Sequence, residues 1–186
     1  MNNEKKHGVC PVERAGALDF SFRKLLQNPK KILRPFVREG MTVLDLGCGP
    51  GFFTKEMARL VGETGRVVAA DLQEGMLAMV RNKMKNSGLA GRVRYHLCQS
   101  AATGLAEKFD FILAFYMFHE VPDQEAFLRE IRSLLKPGGM VLIAEPKWHV
   151  SEGEFQKSID RMEQSGFVVQ KSPGIFLSRK VCIKMS

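Results

Sequence analysis

Asp45-Leu46-Gly47-Cys48-Gly49-Pro50-Gly51 is the stretch that decides the fold of this 186-residue chain. It ends a short apolar run at residues 42–46, which predicts a β-strand, and it precedes an amphipathic stretch at 53–61, which predicts a helix. Glycines remove Cβ atoms where the backbone turns tightly and where a ligand approaches, and the following helix offers unpaired N–H groups. The motif therefore predicts a loop that binds a nucleotide-like ligand at the carboxyl end of a first strand.

The rest of the chain alternates short apolar runs with amphipathic stretches, which is typical of an α/β fold with a parallel sheet. Seven strands are predicted, at residues 42–46, 66–70, 93–98, 109–115, 140–145, 167–171 and 179–184. Helices are predicted at residues 53–61, 73–86, 124–135 and 151–165, with a short one beginning at Asn28-Pro29. The connection between the last two strands is too short for a crossover, so these strands form an antiparallel hairpin and the sheet is mixed.

Composition and charge narrow the class of protein. With 45% hydrophobic and 26% charged residues, the chain reads as one globular unit. No apolar run approaches the ~18 residues of a membrane span, so a cytoplasmic location is expected by default. The four cysteines lie far apart, which predicts no metal site. The net charge of +8 comes from residues 1–40 and 147–186, and solvated surface charge is preferred to a nucleic-acid site.

Two carboxylates flank the glycines and bear on the identity of the ligand. Asp45 places a negative charge where a pyrophosphate would be repelled but a cationic amino-acid group would be attracted. Asp71, which ends the second strand, is suited to accept hydrogen bonds from ribose hydroxyls. The glycine spacing falls one residue short of GxGxxG, which disfavours a nicotinamide-dependent oxidoreductase. The pattern favours S-adenosylmethionine.

The chain resembles the class I S-adenosylmethionine-dependent methyltransferases, particularly the small-molecule group that includes the ubiquinone/menaquinone type. The resemblance covers residues 43–184 and rests on the 43–51 motif, Asp71-Leu72, Phe109-Asp110 and Leu134-Leu135-Lys136-Pro137-Gly138-Gly139. It implies a Rossmann-like, doubly wound sheet in the order 3-2-1-4-5-7-6, with strand 7 antiparallel and helices on both faces. Residues 41–186 would then form the methyltransferase domain, preceded by a helical extension or lid at residues 1–40.

The resemblance also implies how the cofactor S-adenosylmethionine, with its product S-adenosylhomocysteine, is bound. Asp71 would hold the ribose and Leu72 would pack on the adenine. Gln99 occupies a place near the adenine amino group where the family often has aspartate, and Ala114 and Phe115 would lie beside the sulfonium. The full predicted cofactor set is Asp45, Gly47, Cys48, Gly49, Asp71, Leu72, Gln99, Ser100, Ala114 and Phe115.

Catalytic candidates follow the fourth and fifth strands. His119 is the candidate general base for acceptors that must lose a proton; the alternative is a structural histidine that orders its loop. Trp148 either stacks on a substrate or anchors its loop against the sheet. Glu145 is interpreted as holding that loop.

The sequence thus predicts an S-adenosylmethionine-dependent methyltransferase acting on a small molecule, because residues 1–40 are short and aromatic enough to form a lid. One alternative is a methyltransferase acting on RNA or protein, which the basic ends of the chain motivate. The Asn/Asp-Pro-Pro-Tyr/Phe tetrad of base amino-group methylation is missing from the sequence, however. The other alternative is a non-catalytic protein that binds the cofactor.

Overall fold

A seven-stranded sheet forms the centre of the protein. The computed structural model describes residues 27–99 and 102–186; residues 1–26 of the predicted extension and Ser100 of the predicted cofactor set lie outside them. The strands are β1 (Thr42–Leu46), β2 (Arg66–Asp71), β3 (Val93–Leu97), β4 (Phe109–Phe115), β5 (Leu135–Pro146), β6 (Phe167–Gln170) and β7 (Ser178–Met185). The helices are α1 (Pro29–Leu33), α2 (Thr54–Leu60), α3 (Glu74–Lys85), α4 (Gln124–Leu134) and α5 (Glu152–Gln164), with 3₁₀ turns at Ala90–Arg92 and Phe118–Glu120.

The strand order is β3-β2-β1-β4-β5-β7-β6. The first five strands of the chain pair in parallel, and β7 lies antiparallel between β5 and β6. This confirms the predicted order, the closing hairpin and the α/β class. The strands β1, β2, β4 and β5 point the same way, so the residues that follow them meet at one side of the sheet, called the carboxyl edge below.

Helices cover both faces of the sheet, as predicted. Side chains of the central strands alternate between two buried clusters, with Val43 in one and Leu44 in the other. The first cluster is completed from α1, α2 and α3 by Leu33, Met57, Ala58, Leu77, Val80 and Met84. The second is completed from α4 and α5 by Leu128, Ile131, Leu134, Phe155 and Met162. Burial on both faces fixes the strands and, with them, the loops of the carboxyl edge.

Two predicted helix starts are confirmed. The Asn28 side chain accepts hydrogen bonds from the N–H groups of Lys30 and Lys31, and α5 begins with the capping box of Ser151 and Glu154. These caps satisfy N–H groups that the helices themselves leave unpaired. None of the helices in the described residues is long and apolar enough to cross a membrane.

The segment that contains α1 packs on the sheet. The Phe36 ring stacks on Phe111 of β4 with ring centroids 5.4 Å apart, and Leu33 and Val37 are buried beside it. These contacts join residues 29–37 to the first cluster. The predicted division of the chain at residue 40 stays a prediction.

Residues 136–139, predicted as a turn between helix and strand, lie within β5 instead. Leu135 already pairs with Phe109, and pairing continues from Met140 after a register shift. Gly138 has a φ of +76°, a conformation that glycine adopts without strain. The irregularity is therefore absorbed inside the strand, and β5 begins five residues earlier than the apolar run indicated.

Candidate active site

The glycine loop, residues 47–51, leaves β1 at the carboxyl edge. The N–H groups of Gly47 and Cys48 donate to the carbonyl oxygen of Ala70 on β2, at 2.9 and 3.0 Å. Gly47 has a φ of +67°, and a Cβ there would lie 3.0 Å from Cγ of Met117. Gly49 has a φ of +50°, and a Cβ there would meet nothing within 4 Å. The loop is thus closed against Met117 at its first glycine and open at its second.

Asp71 connects the end of β2 to this loop. One carboxylate oxygen accepts from the N–H of Gly49 at 2.9 Å, and the other accepts from the N–H of Gln73 at 3.0 Å. Burial raises the pKa of Asp71, although these N–H groups act in the opposite direction. A carboxylate oxygen can accept more than one hydrogen bond, so this side chain retains capacity for ligand hydroxyls.

Asp45 lies on β1, on the face that α2 covers. Its side chain is buried, and one oxygen accepts from the hydroxyl of Thr54 at 2.5 Å. Thr54 is the first residue of α2, which follows the glycine loop. Asp45 and Asp71 therefore place two carboxylates at the ends of adjacent strands, one bonded to the glycine loop and the other to the helix that follows it.

The other predicted cofactor residues differ in how far they are exposed. Leu72 is 44% exposed directly after Asp71, so its apolar side chain is available at the carboxyl edge. Cys48 is buried, and burial raises the pKa of its thiol far above the usual range, so it remains a neutral thiol. Ala114 and Phe115 are also buried, with the Phe115 ring centroid 4.4 Å from that of Phe53. Gln99 is exposed beyond β3 and pairs with Ala102.

Lys83 is a residue that the sequence did not single out. Its ammonium on α3 donates to the carbonyl oxygens of Pro50 and Gly51, the latter at 3.2 Å. It thereby ties the far end of the glycine loop to a second helix. A lysine within a predicted helix gives no local signal of such a contact, because the loop lies 32 residues earlier in the chain.

The carboxyl edge has two halves, one beside β1 and β2 with the glycine loop, and one beside β4 and β5. In the second half, His119 and Glu145 form a pair. Nδ1 of His119 lies 2.5 Å from one oxygen of Glu145, and the backbone N–H of His119 donates to the other oxygen at 3.0 Å. Glu145 is only 1% exposed. Burial by itself lowers the pKa of His119, but the hydrogen bond and charge of Glu145 outweigh it and the pKa is raised. The ring of His149 lies beside His119, with centroids 4.7 Å apart.

Tyr116 and Trp148 form an aromatic wall beside this pair. Tyr116 has a φ of +64°, an uncommon conformation for a non-glycine residue. Its hydroxyl lies 2.7 Å from that of Ser178 and accepts from the amide of Gln27 at 2.5 Å. The Trp148 ring packs edge to face against the Tyr116 ring, with ring centroids 5.6 Å apart, and Trp148 is 66% exposed. The contact leaves most of the indole surface open to a ligand.

Residues 37–182 match the methyltransferase-domain family. The chain belongs to this family. The matched range of the methyltransferase includes the glycine loop, both carboxylates and the His119–Glu145 pair. Among the described residues, no group of three or more His, Cys, Asp or Glu side chains is placed to hold a metal ion.

Sequence relatives of this methyltransferase include the ubiquinone/menaquinone biosynthesis C-methyltransferases of Klebsiella pneumoniae and Escherichia coli. Each is 44% identical over 110 residues, which is 59% of this chain and 44% of the relative. The chain therefore spans less than half the length of these curated relatives.

Solved structures extend the comparison to almost the whole chain. A SAM-dependent methyltransferase from Aquifex aeolicus has a TM-score of 0.81 and 28% identity, covering 94% of this chain and 97% of that one. A TehB-like methyltransferase from Corynebacterium glutamicum has a TM-score of 0.70 at 14% identity, covering 95% and 100%, and shares the fold alone. The resemblance to class I S-adenosylmethionine-dependent methyltransferases is thus confirmed for both family and fold.

Proposed function

We propose that this domain transfers a methyl group from S-adenosylmethionine to a small-molecule acceptor at the carboxyl edge of the sheet. The observation that carries the proposal is a pair of carboxylates at the ends of adjacent strands. Asp71 accepts from the glycine loop, which is open at Gly49, and Asp45 accepts from Thr54, which follows that loop. A nucleoside with a cationic amino-acid tail is a ligand that needs both features. The proposal rests on that chemistry together with the family.

The residues present fit the cofactor. Asp71 has lone pairs for ribose hydroxyls, and Leu72 offers an exposed apolar surface for a base. Leu97, which pairs with Asp71 in the sheet, is 51% exposed and adds a second apolar surface there. At Gly49 there is free space where other residues would carry a Cβ. We assign the ribose and adenine to this half of the edge.

S-adenosylmethionine, when bound, supplies an electrophilic methyl group. The protein's own task is to hold an acceptor in line with that group and to exclude water, which accounts for most of the acceleration in such displacements. We assign acceptor binding to the half of the edge that contains Tyr116, His119 and Trp148. His119 is proposed as the catalytic residue because its ring lies at that end of β4 and is held by a buried carboxylate.

A small-molecule acceptor is favoured over RNA or protein by two observations. The sequence relatives are named for the biosynthesis of ubiquinone and menaquinone, which are small molecules. In addition, the aromatic wall of Tyr116 and Trp148 offers a compact apolar surface. We further propose that Gln27, which precedes α1, covers part of this half of the edge through its bonds to Tyr116 and Ser178. Residues 1–26 of the predicted lid lie outside the described residues.

Calorimetry and product analysis test the proposal in two steps. Titration with S-adenosylhomocysteine is expected to give one site per chain, and absence of binding at millimolar ligand would exclude the function. Release of S-adenosylhomocysteine is then measured with labelled S-adenosylmethionine in a small-molecule extract and, separately, with total RNA. Turnover in the extract alone supports the proposal, whereas turnover with RNA alone, or binding without any turnover, contradicts it.

A further inference from the structure

We propose that Glu145 is a positioning residue that fixes the Nδ1–H tautomer of His119, so that Nε2 is the base and the acceptor atom is one that must lose a proton. This inference rests on the proposed function and goes further by naming the class of acceptor. Hydroxyl, amine and carbon-acid acceptors belong to that class. Thioethers and pyridine-type nitrogens, which are methylated without losing a proton, do not.

The geometry of Glu145 leads to this assignment. Its two oxygens are divided between two donors of one residue, the backbone N–H and Nδ1 of His119. The side chain lies at the end of β5 and is 1% exposed, so its charge has little contact with water. A buried carboxylate needs hydrogen-bond donors, and it favours a proton on the ring nitrogen that faces it. The other ring nitrogen, Nε2, is then an acceptor in the neutral ring.

A loop-ordering role alone would not require the contact to the ring. The hydrogen bond from the backbone N–H of His119 already joins the Phe118–Glu120 turn to β5. The second contact acts on the imidazole itself, and the same carboxylate stabilises the ring when it takes up a proton. Among the described residues, Glu120, next in the chain, also acts on the ring through its charge, and the ring of His149, from the loop after β5, lies beside it. Asp123, Glu125 and Arg161 line the same cavity as His119.

The proton transfer balances with the methyl transfer. For a hydroxyl or amine, a lone pair of the acceptor atom forms the new bond to the methyl carbon, and the electrons of the acceptor–hydrogen bond stay on the acceptor as its proton moves to Nε2 of His119. For a carbon acid, the electron pair freed from the carbon–hydrogen bond forms the new bond. In every case the electrons of the broken carbon–sulfur bond stay on sulfur. General-base assistance of this kind typically contributes about 100-fold to 10,000-fold in rate.

Replacing Glu145 by glutamine separates the two roles. In Glu145→Gln the amide oxygen remains for the backbone N–H of His119, and the amide NH₂ then faces Nδ1. Because an NH₂ group only donates, the ring has to accept at Nδ1 and carry its proton on Nε2. The variant therefore keeps the loop contact but removes the base.

Nitrogen-15 NMR of histidine-labelled protein, with and without S-adenosylhomocysteine, measures this directly. The chain has four histidines, and His119→Gln identifies the signal. We expect Nδ1–H in the wild type, Nε2–H in Glu145→Gln, and no change of tautomer in Glu120→Gln, which removes a carboxylate that acts on His119 through its charge. An Nε2–H tautomer in the wild type, or the same tautomer in the wild type and Glu145→Gln, overturns the inference.

The kinetic readout uses the acceptor fraction that turns over in the extract. Glu145→Gln is expected to lower kcat by about 100-fold or more while KM for S-adenosylmethionine and the affinity for S-adenosylhomocysteine stay the same. Unchanged kcat in a variant that has switched tautomer contradicts the base assignment. Failure of the wild type to bind S-adenosylhomocysteine would instead refute the proposed function, and the tautomer result would still decide the role of Glu145.

Discussion

The two halves of the carboxyl edge are built by different means. Beside β1 and β2, the glycine loop is shaped by backbone conformation, and three of its backbone N–H groups donate to Ala70 and Asp71 of β2. Beside β4 and β5, the site consists of side chains such as His119 and Glu145, which lie 26 residues apart. The first half depends mainly on the neighbouring strand β2, with Lys83 of α3 as an additional contact, whereas the second depends on the pairing of β4 with β5. Changes should therefore affect the two halves separately.

The largest effect is expected for Asp71→Ala. Losing charge-assisted hydrogen bonds to two ribose hydroxyls, at about 1.5 kcal/mol each, should weaken binding of S-adenosylhomocysteine about 100-fold. Calorimetric titration measures this. The matched control is Asp110→Ala, because Asp110 begins β4 at the opposite edge, where it accepts from Thr42 and Lys136. A similar loss of affinity in both variants would show that the effect is not specific to the carboxyl edge.

An intermediate effect is expected for alanine at the two glycines. Both Gly47→Ala and Gly49→Ala place a Cβ on a residue with positive φ, but only the first also meets Met117. We expect Gly47→Ala to lose about 2 kcal/mol more in the free energy of unfolding than Gly49→Ala. Urea unfolding of both variants gives the difference. Equal losses would mean that Met117 moves away at no cost.

The smallest effect is a change in the free energy of unfolding with pH, which tests the His119–Glu145 pair of the second half of the edge. The pKa of His119 is raised in the folded protein, so its contribution to the free energy of unfolding is fully present below about pH 6.5. That contribution is lost as the pH rises through the folded-state pKa. Urea unfolding at pH 6 and pH 8 should show this loss in the wild type and less of it in Glu145→Gln. A larger loss in the variant would contradict the pairing.

Local sequence was sufficient for the glycine loop and for the closing hairpin, whereas the strand order followed from the resemblance to the methyltransferases. The glycine motif, Asp71 and the closing hairpin each carry their signal within a few residues, because they depend on backbone geometry. The helix caps at Asn28 and Ser151 were predicted for the same reason.

The other half depended on contacts that no local pattern encodes. Glu145 was interpreted as holding the loop that follows β5, whereas its hydrogen bonds go to the backbone and ring of His119 after β4. The resemblance predicted that strands four and five are neighbours, with His119 after one and Glu145 at the end of the other. That adjacency could have indicated the contact between these two residues. In the glycine-loop half, Lys83 offered no comparable signal. Residues 136–139 were misassigned because β5 already begins at Leu135, which pairs with Phe109, and the Pro-Gly-Gly stretch lies in the register shift before Met140.

Trp148 also serves as an intrinsic fluorescent probe. It is the only tryptophan in the chain, and it stands 66% exposed at the aromatic wall. Excitation at the red edge of the indole band therefore addresses a single fluorophore at a known place. The wavelength of its emission maximum and its quenching by iodide report the solvent exposure of that one surface. The measurement needs no label and no knowledge of the acceptor.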